Sequence, residues 1–373
     1  MKYTLCITQE CNLACSYCYI PKRPRVMSLE TARDAVDFIF RQAAGMDQLE
    51  IGFFGGEPLL EFELIREITP YIESQPGFDK HRVGLTVVTN GTIFSDAIAE
   101  FLNAHGIRFC LSCDGPPHVQ DAFRKSPAGE PSSTRVEATI RLALKSFPAL
   151  LVNSVFRPET LEYLPETIAY LSGLGLRQLY FNPDFSAPWT PADLARLPAV
   201  YEEVAERYMQ FYLRGDPHFI SLIDNKIAVI LRGGYQLLER CGMGRREMAF
   251  TPDRRIYPCE RLIGDPEDDG HCIGSLDRGI DLSRLSCRNA GREAINSECL
   301  ACGFQEYCMT WCGCSNYFMT GQYDRVGPFL CASEKAAIQA AFRAFTTLER
   351  RLGPTFVHHL TGQPHFNSVS VRA

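Results

Sequence analysis

Short apolar runs alternate with amphipathic stretches along the first 235 residues of the chain. The runs predict six β-strands, at 2–8, 49–54, 83–89, 107–112, 150–156 and 178–182. Because each run is almost continuously apolar, it is typical of a strand covered on both faces in a parallel sheet. Strands that alternate with helices predict an α/β fold, either a partial barrel or an open sheet, and the pattern alone does not choose between the two.

Three helices between these strands are marked by an apolar face and by end signals. Ser28 and Ser95 are suitable N-cap residues for the first two, and Gly106 ends the second. The third begins near Leu161 and ends near Gly173. These helices are expected to cross over between parallel strands.

The pattern changes after about residue 240, where helical periodicity fades and ten of the 16 cysteines occur. Such a segment is expected to fold around metal rather than around a large apolar core. A further helix is predicted at 334–352. The tail from Gly353 is expected to be frayed and solvated, with metal binding by its histidines as the alternative. This tail contains Pro354, His358, His359, Pro364 and His365.

Length and charge narrow the class of protein. A chain of 373 residues allows about two domains, and we expect an α/β domain at 1–235, a cysteine-rich domain at 236–335, and a C-terminal helix and tail at 336–373. The net charge of −6 argues against a nucleic-acid partner. No segment has the roughly 18 apolar residues that span a membrane. The N-terminus resembles a strand rather than a secretory signal, so a cytoplasmic location is expected, where disulfides are rare.

Three cysteines follow the first strand in the spacing C-x3-C-x2-C. They are Cys11, Cys15 and Cys18. A zinc site normally has four protein ligands, or three that include histidine or carboxylate, and the next residues supply no obvious fourth ligand. Three thiolates at the carboxyl end of a parallel sheet suit a 4Fe–4S cluster with one iron left open for a small molecule.

With Tyr17 before its third cysteine, this motif resembles the radical S-adenosylmethionine superfamily. The resemblance implies that the open iron binds the methionine part of S-adenosylmethionine. It also implies that one electron releases a 5′-deoxyadenosyl radical, which abstracts hydrogen from the substrate. The resemblance covers about residues 1–182 and favours the partial barrel, a TIM-like (β/α)6 fold, over the open sheet.

The turn G-G-E-P after the second strand supports this resemblance. It consists of Gly55, Gly56, Glu57 and Pro58. Its glycines permit close backbone approach, and the turn can receive a charged amino group. Alone it would be only a surface turn; by resemblance it binds the methionine part of the cofactor.

Polar residues at the ends of later strands complete the predicted cofactor site. Asn90 ends the third strand, and the fourth ends in S-C-D-G-P, which contains Ser112 and Asp114. By resemblance, Ser112 contacts the cofactor and Arg124 pairs with its carboxylate, a role that suits a permanently charged guanidinium. Asn153 on the fifth strand is a candidate for ribose contact, with a structural amide as the alternative.

The cysteines near the C-terminus form the motif C-x2-C-x5-C-x3-C followed by one more cysteine. This set resembles the SPASM extension of radical enzymes that modify peptides and proteins. The resemblance implies two auxiliary 4Fe–4S clusters, and therefore three clusters in all. One would be held by Cys299, Cys302, Cys308 and Cys331, and the other by Cys241, Cys259 and Cys312. The fourth corner of the latter is either open or filled by Cys272 or Cys314, and zinc is the alternative for the whole set.

Two features depart from the family pattern. Arg254 stands where the family usually has glycine, five positions before Cys259, and the interval from Cys241 to Cys259 is slightly longer than usual. The remaining cysteines are either ligands or buried thiols that behave as small apolar groups. Those that stand apart are Cys6, Cys110, Cys113, Cys272 and Cys287.

The resemblance implies a peptide or protein substrate and a reducing partner such as flavodoxin or ferredoxin. An open auxiliary iron that holds a substrate thiolate suggests a thioether cross-link in a ribosomally made peptide. The nearest alternative is sulfatase maturation, in which cysteine or serine is oxidised to formylglycine. Family members with that activity carry aspartate directly after the cysteine that matches Cys259, and here Glu260 is the candidate catalytic base. A non-catalytic iron–sulfur electron carrier is the alternative from another class.

Substrate recognition is weakly specified by the sequence. The chain starts directly at the first strand, so no N-terminal leader-binding domain is expected. Six arginines near the first auxiliary cysteines are candidates for attracting an acidic peptide, although a solvated surface or pairing with the acidic residues at 265–269 is favoured. They are Arg240, Arg245, Arg246, Arg254, Arg255 and Arg261.

Overall fold

The computed structural model describes residues 1–236, 239–265, 267, 269–289 and 296–362. They form two compact units. The first consists of Met1–Ser112, Asp121–Pro148 and Gly242–Asn289. The second consists of Cys113–Gln120, Ala149–Cys241 and the described residues from 296 onwards. The predicted domain boundaries at 235 and 335 stay a prediction.

Strands alternate with helices through most of the chain. The strands are β1 (Lys2–Thr8), β2 (Leu49–Gly55), β3 (Val83–Thr89), β4 (Ile107–Ser112), β5 (Leu151–Phe156), β6 (Gln178–Pro183), β7 (Phe219–Ile220), β8 (Glu247–Phe250), β9 (Arg255–Tyr257), β10 (Gly274–Ser275) and β11 (Gly279–Ile280). The α-helices are α1 (Leu29–Gln42), α2 (Phe62–Glu73), α3 (Asp96–Ala104), α4 (Pro117–Phe123), α5 (Ser133–Ser146), α6 (Leu164–Gly173), α7 (Pro191–Leu213), α8 (Ser221–Leu231), α9 (Leu282–Asn289), α10 (Ser297–Leu300), α11 (Gly313–Thr320), α12 (Pro328–Leu352) and α13 (Pro354–Gly362).

In the first unit the strands follow the order β11-β10-β9-β8-β1-β2-β3-β4. Strands β1 to β4 are parallel, and β8 pairs in parallel with the other side of β1. Strands β9 to β11 continue the sheet in antiparallel pairs. Because β1 is an inner strand, it is buried from Tyr3 to Thr8. The carboxyl ends of β1 to β4 lie at one edge of this sheet.

The second unit contains β5, β6 and β7, which pair in parallel, and a layer of long helices. Helix α12, at 25 residues the longest, packs against α7 and α8. The buried hydroxyl groups of Tyr201 on α7 and Ser333 on α12 lie 2.9 Å apart and share a hydrogen bond. None of the described helices is long and apolar enough to cross a membrane.

The predicted elements of the α/β segment agree with β1 to β6 to within one residue at each end. Both N-cap predictions are confirmed, because the Ser28 hydroxyl accepts from the Thr31 amide at 3.0 Å and the Ser95 hydroxyl from the Ile98 amide at 3.3 Å. The third predicted helix starts as a 3₁₀ turn at Leu161–Tyr163 and continues as α6.

The frayed-tail prediction is wrong for the residues directly after Gly353. Pro354–Gly362 form α13, in which Phe356 and Leu360 are buried, and the Phe356 ring lies 5.0 Å from that of Tyr212. The contact of the Phe356 ring with Tyr212 and the burial of Leu360 thus order a segment that was expected to be frayed. Pro364 and His365 lie outside the described residues.

Candidate functional site

The loop after β1, which carries the first three cysteines, is fixed by backbone hydrogen bonds. The Ala14 amide donates to the Lys125 carbonyl at 2.7 Å, and the Ser16 amide to the Phe123 carbonyl at 3.1 Å. The structure brings Cys11, Cys15 and Cys18 together around one amine that the sequence motifs did not indicate, that of Lys22. Although burial lowers the pKa of Lys22, the nearby thiols, Cys18 first, raise it above its ordinary value.

Gly55 and Gly56 let the turn after β2 pack directly against the chain that leads to Cys11. A Cβ atom on Gly55, whose φ is +135°, would lie 2.1 Å from the Thr8 carbonyl oxygen. A Cβ on Gly56 would lie 1.9 Å from the Glu10 carbonyl oxygen. The close approach predicted for these glycines is therefore made to the cysteine loop.

Glu57 faces inward and joins the turn to the end of β3. Its side chain accepts hydrogen bonds from the Asn90 amide at 2.7 Å, the Thr89 hydroxyl at 2.8 Å and the Leu59 amide at 3.0 Å. The residue is fully buried, and this burial raises the pKa of its carboxyl to about 7 despite the three donors. Pro58 opens the 3₁₀ turn Pro58–Glu61. Glu57 thus connects the glycine turn after β2 to the end of β3, next to the cysteine loop.

Asn90 links β3 to the first cysteine. Its Nδ2 lies 3.6 Å from the Cys11 Sγ and donates to the Asn12 Oδ1 at 2.8 Å. Its Oδ1 accepts from the Thr92 amide at 2.9 Å. Hydrogen bonds to a ligand sulfur orient the thiolate and influence a cluster's potential.

Tyr17 and Arg124, predicted separately, are in contact. The Arg124 guanidinium carbon lies 5.3 Å from the centre of the Tyr17 ring, and Arg124 is 7% exposed. A buried guanidinium over an aromatic face is held in orientation by a cation–π contact. Ser112, at the end of β4 in the same unit, is partly exposed.

Asp114 and Asn153 come together in the second unit. The Asp114 carboxylate accepts from the Val155 amide at 2.9 Å, and the backbone carbonyl of Asn153 accepts from the Cys113 amide at 2.9 Å. The Asn153 Oδ1 is buried and has no hydrogen-bond partner among the described residues. Because buried acceptors are normally satisfied, this atom fits a hydroxyl donor such as a ribose.

The C-terminal cysteines of the second unit also converge. Burial raises the pKa of the Cys299 thiol, and the neighbouring thiols of Cys331 and Cys302 raise it further. The Cys308 thiol interacts with those of Cys331 and Cys299. The four residues proposed for one cluster are therefore neighbours in space.

The other auxiliary cysteines are divided between the units. In the second unit, Cys312 is hydrogen-bonded to Cys241, and its Sγ lies 3.6 Å from that of Cys314. In the first unit, the Cys259 thiol donates to the Glu247 Oε1 at 3.4 Å. Cys272 belongs to a buried apolar cluster in the first unit that also contains Cys6, Ala249 and Tyr257.

The solitary cysteines are buried where they are described. Cys6 is 0% exposed, Cys110 7% and Cys113 3%. Burial raises the pKa of the Cys6 and Cys110 thiols to about 12, as is typical of inert buried thiols. The side chain of Cys287 lies outside the described residues.

Glu260, the candidate base, is held by residues of β1. Its carboxylate pairs with the Lys2 ammonium at 3.0 Å and accepts from the Thr4 hydroxyl at 2.6 Å. Burial alone would raise the pKa of this carboxyl, but Lys2 and Thr4 hold it below its ordinary value. The geometry favours a structural ion pair, and the catalytic role stays a prediction.

Several of the six arginines near Cys259 pair with acidic residues. Arg254 has a positive φ of 66° and pairs with Asp34 at 2.8 Å and Asp277 at 2.7 Å. Arg255 pairs with Asp253 at 3.4 Å. Pairing with acidic residues, which was expected for this group, is thus seen for Arg254 and Arg255, with Asp34, Asp253 and Asp277 as the partners.

Comparisons with known proteins agree with this arrangement. The family model of the radical SAM superfamily matches residues 5–171. An uncharacterised protein of Methanocaldococcus jannaschii is 30% identical over 198 residues, which are 52% of this chain and 66% of that protein. The serine-type anaerobic sulfatase-maturating enzyme of Klebsiella aerogenes is 25% identical over 325 residues, which are 81% of this chain and 76% of that enzyme.

Two solved structures have the same fold. The structure of anSMEcpe with bound AdoMet and the Cp18Cys peptide superposes with a TM-score of 0.78 at 19% identity, over 94% of this chain and 100% of that one. Streptococcus suis SuiB bound to its precursor peptide SuiA gives 0.62 at 16% identity, over 88% of this chain and 75% of that one. The predicted α/β fold class, a TIM-like partial barrel, is confirmed.

The fold and the cysteine loop define an iron–sulfur enzyme of radical chemistry. The chain belongs to the radical S-adenosylmethionine superfamily, and the predicted SPASM-type relationship is confirmed. Membership implies S-adenosylmethionine and a 4Fe–4S cluster. The residues of the first unit fit this cluster and this cofactor, because three thiols lie together, Asn90 donates toward Cys11, and the buried Arg124 guanidinium is held over the Tyr17 ring. The electron-carrier alternative is thereby set aside.

Proposed function

We propose that this enzyme oxidatively modifies a side chain of a peptide or protein. The proposal rests on two separate sets of cysteines whose thiols lie close together within each set. One set is the three cysteines on the loop after β1, and the other is the four C-terminal cysteines of the second unit. Similar proteins were solved with peptides, anSMEcpe with Cp18Cys and SuiB with SuiA, which supports a peptide substrate here. Flavodoxin or ferredoxin is the proposed electron donor.

Each side chain near the first site has a definable task. Cys11, Cys15 and Cys18 would hold the cluster, which when bound supplies the electron that cleaves S-adenosylmethionine. Asn90 orients the Cys11 thiolate. Arg124, fixed over Tyr17, would bind the cofactor's carboxylate, and Asn153 would accept from its ribose.

Two auxiliary clusters are proposed in addition. Cys299, Cys302, Cys308 and Cys331 would hold one completely. Cys241, Cys259 and Cys312 would be ligands of the other. The fourth corner of this second cluster is proposed to be open. The alternative is that Cys314 fills it, since its sulfur lies 3.6 Å from that of Cys312, whereas Cys272 lies among apolar side chains and donates to the Gly274 carbonyl.

Formation of a thioether cross-link is the proposed reaction. An auxiliary iron without a fourth protein ligand can hold a substrate thiolate, and a cluster can accept the electron that bond formation releases. The pairing of Glu260 with Lys2 and Thr4 supports this reaction over formylglycine formation, which would use a carboxylate at this position as base.

Formylglycine formation is the second candidate. A specific observation favours it, namely the match to a sulfatase-maturating enzyme over 81% of this chain and 76% of the relative. The superposition on anSMEcpe over 94% of this chain points the same way. Substitution of Glu for the usual Asp preserves a carboxylate after Cys259.

Product analysis distinguishes the two reactions. The reconstituted, reduced enzyme is incubated with S-adenosylmethionine and either a cysteine-containing peptide encoded beside its gene or a sulfatase-derived peptide. A thioether removes two hydrogen atoms and leaves no aldehyde, whereas formylglycine reacts with a hydrazide probe. An enzyme in which Cys15 is replaced by alanine is the control. Formation of 5′-deoxyadenosine with neither peptide product would contradict both reactions.

A further inference from the structure

Lys226 on α8 and Glu334 on α12 form an ion pair in the interior of the second unit. The Lys226 Nζ lies 2.6 Å from the Glu334 Oε2, and the two side chains are only 8% and 9% exposed. Taking two charges out of water is costly, and an apolar pair of similar volume often stabilises a fold as well or better. Folding stability alone therefore does not account for the pair.

Both charged groups hold the backbone next to Cys308. The Glu334 Oε2 accepts from the Met309 amide at 2.5 Å. The Lys226 Nζ lies 3.4 Å from the Tyr307 carbonyl oxygen, to which it donates. These two backbone groups belong to the peptide bonds on either side of Cys308, which has an extended backbone and is 9% exposed. The pair thus fixes the position of this cysteine from both sides.

Helix α12, which carries Glu334, also carries Cys331, another of the four C-terminal cysteines proposed to hold one cluster. Glu334 follows Cys331 by three positions in α12, so both side chains project from one side of the helix. The thiols of Cys331 and Cys308 are close enough for their charges to interact. Helix α12 therefore presents Cys331 to the site and Glu334 to the backbone that carries Cys308.

We propose that Lys226 and Glu334 are positioning residues for an iron–sulfur cluster held by Cys299, Cys302, Cys308 and Cys331. This inference rests on the proposed auxiliary clusters. The pair holds Cys308 in register with Cys331 and, because its charges offset each other, adds no net charge beside the cluster. Removal of one partner leaves a single buried charge there, which changes both the fixed geometry and the reduction potential.

The test uses the full chain with Cys11, Cys15 and Cys18 replaced by alanine, so that only auxiliary clusters contribute. After anaerobic reconstitution this parent is expected to hold about eight irons, four for each cube. A parent without iron above background would overturn the proposed clusters, and this inference with them. Iron analysis, Mössbauer spectra and an EPR-monitored redox titration are the measurements.

Two charge variants are then compared in that parent. Glu334→Gln is nearly isosteric, can still accept from the Met309 amide, and leaves Lys226 as an unbalanced cation, so the potential of the cluster should rise. Lys226→Met leaves Glu334 without its partner, and loss of about four irons is expected. Circular dichroism checks that each variant folds.

Asp224→Asn is the matched control, since Asp224 is a buried carboxyl on the same helix that bonds to the Tyr208 hydroxyl at 2.8 Å and the Ile220 amide at 2.7 Å. Loss of iron or a shift in potential in either charge variant, absent from this control, supports the proposal. Iron content and potential that match the control in both charge variants would overturn it.

Discussion

Glu57, Arg254 and Glu260 each have a structural role that their motifs did not indicate. Glu57 ties the turn after β2 to β3 through three hydrogen bonds. Arg254 adopts a left-handed backbone conformation that is easy for glycine and costly for other residues, which explains the glycine usual at this position in the family. Glu260 joins the segment after Cys259 to β1. For single residues, the sequence motifs thus indicated which positions matter, and the contacts in the folded chain show the structural role of each side chain.

The free energy of unfolding of Arg254→Gly is expected to be about 1 kcal/mol higher than that of Arg254→Ala. Both variants lose the ion pairs with Asp34 and Asp277, but only glycine adopts the positive φ without strain. Chemical denaturation of the two variants under one condition measures the difference. Equal stability would show that the backbone at this position carries no strain.

Glu260→Gln is expected to retain peptide modification and cleavage of S-adenosylmethionine while losing roughly 1–2 kcal/mol of stability, since it breaks a charged hydrogen-bond pair. Thr4→Val, which removes only the neutral donor to the same carboxylate, is the matched control. Product yield and denaturation are measured together. A stable Glu260→Gln enzyme that cleaves the cofactor but modifies no peptide would restore the base assignment.

At the scale of elements, the site depends on where strands end and how turns pack. The carboxyl ends of β1, β2 and β3 bring Cys11, the glycine turn and Asn90 to one edge of the first unit's sheet. The short strand β8 pairs with β1 and continues to β9, which leads to Cys259. The second unit instead orders its cysteines on α11, α12 and the turns between helices.

Gly56→Ala is expected to abolish 5′-deoxyadenosine formation and to lower the iron of the first site. The new Cβ would lie 1.9 Å from a backbone oxygen of Glu10, which cannot move without displacing the loop of Cys11. Gly173→Ala, where no atom lies within 4 Å, is the control and should keep full activity. Normal iron and cofactor cleavage in Gly56→Ala would contradict this account of the turn.

Asp224, near the start of α8, is expected to make stability depend on pH. Burial raises the pKa of its carboxyl to about 7, whereas in the unfolded chain it is near 3.8. Its contribution is therefore greatest below the unfolded value and is lost as pH rises toward 7, by up to about 1.4 kcal/mol per pH unit. Denaturation between pH 5 and 8 should show a steeper decline in the wild type than in Asp224→Asn. Parallel profiles would contradict the raised pKa.

At the scale of the whole molecule, the proposed function assigns radical generation and completion of the product to different groups of cysteines. The first three cysteines lie in one compact unit, and the four C-terminal ones lie in the other. Each group of cysteines has its own supporting side chains. Asn90 donates toward Cys11, and the Lys226–Glu334 pair holds the backbone on either side of Cys308. The two functions should therefore be separable by substitution.

Cys302→Ser is expected to retain cleavage of S-adenosylmethionine while losing about four irons and the modified peptide. Cys15→Ser should lose cleavage and product together. Iron analysis and chromatography of 5′-deoxyadenosine measure both outcomes. Full peptide modification by Cys302→Ser would remove the C-terminal cysteines from the reaction.

The sequence by itself determined the six strands of the α/β segment, two helix caps and the cysteine groups, because strand periodicity, capping chemistry and ligand spacing are local properties. It also placed Arg124 and Tyr17 in one site by resemblance. The sequence did not predict elements that are stabilised by contacts with residues far away in the chain. Strand β8 is only four residues long and depends on β1, and α13 depends on the packing of Phe356 against Tyr212.

Tertiary structure alone decided which neighbours each charged or polar group finds. It assigned Glu260 to Lys2, which lies 258 positions away, and Lys226 to Glu334, 108 positions away. It also left the Asn153 Oδ1 buried without a partner and placed the amine of Lys22 beside three thiols. No local pattern encodes such pairs, because hydrogen bonds and burial depend on distances in space that only the folded chain sets.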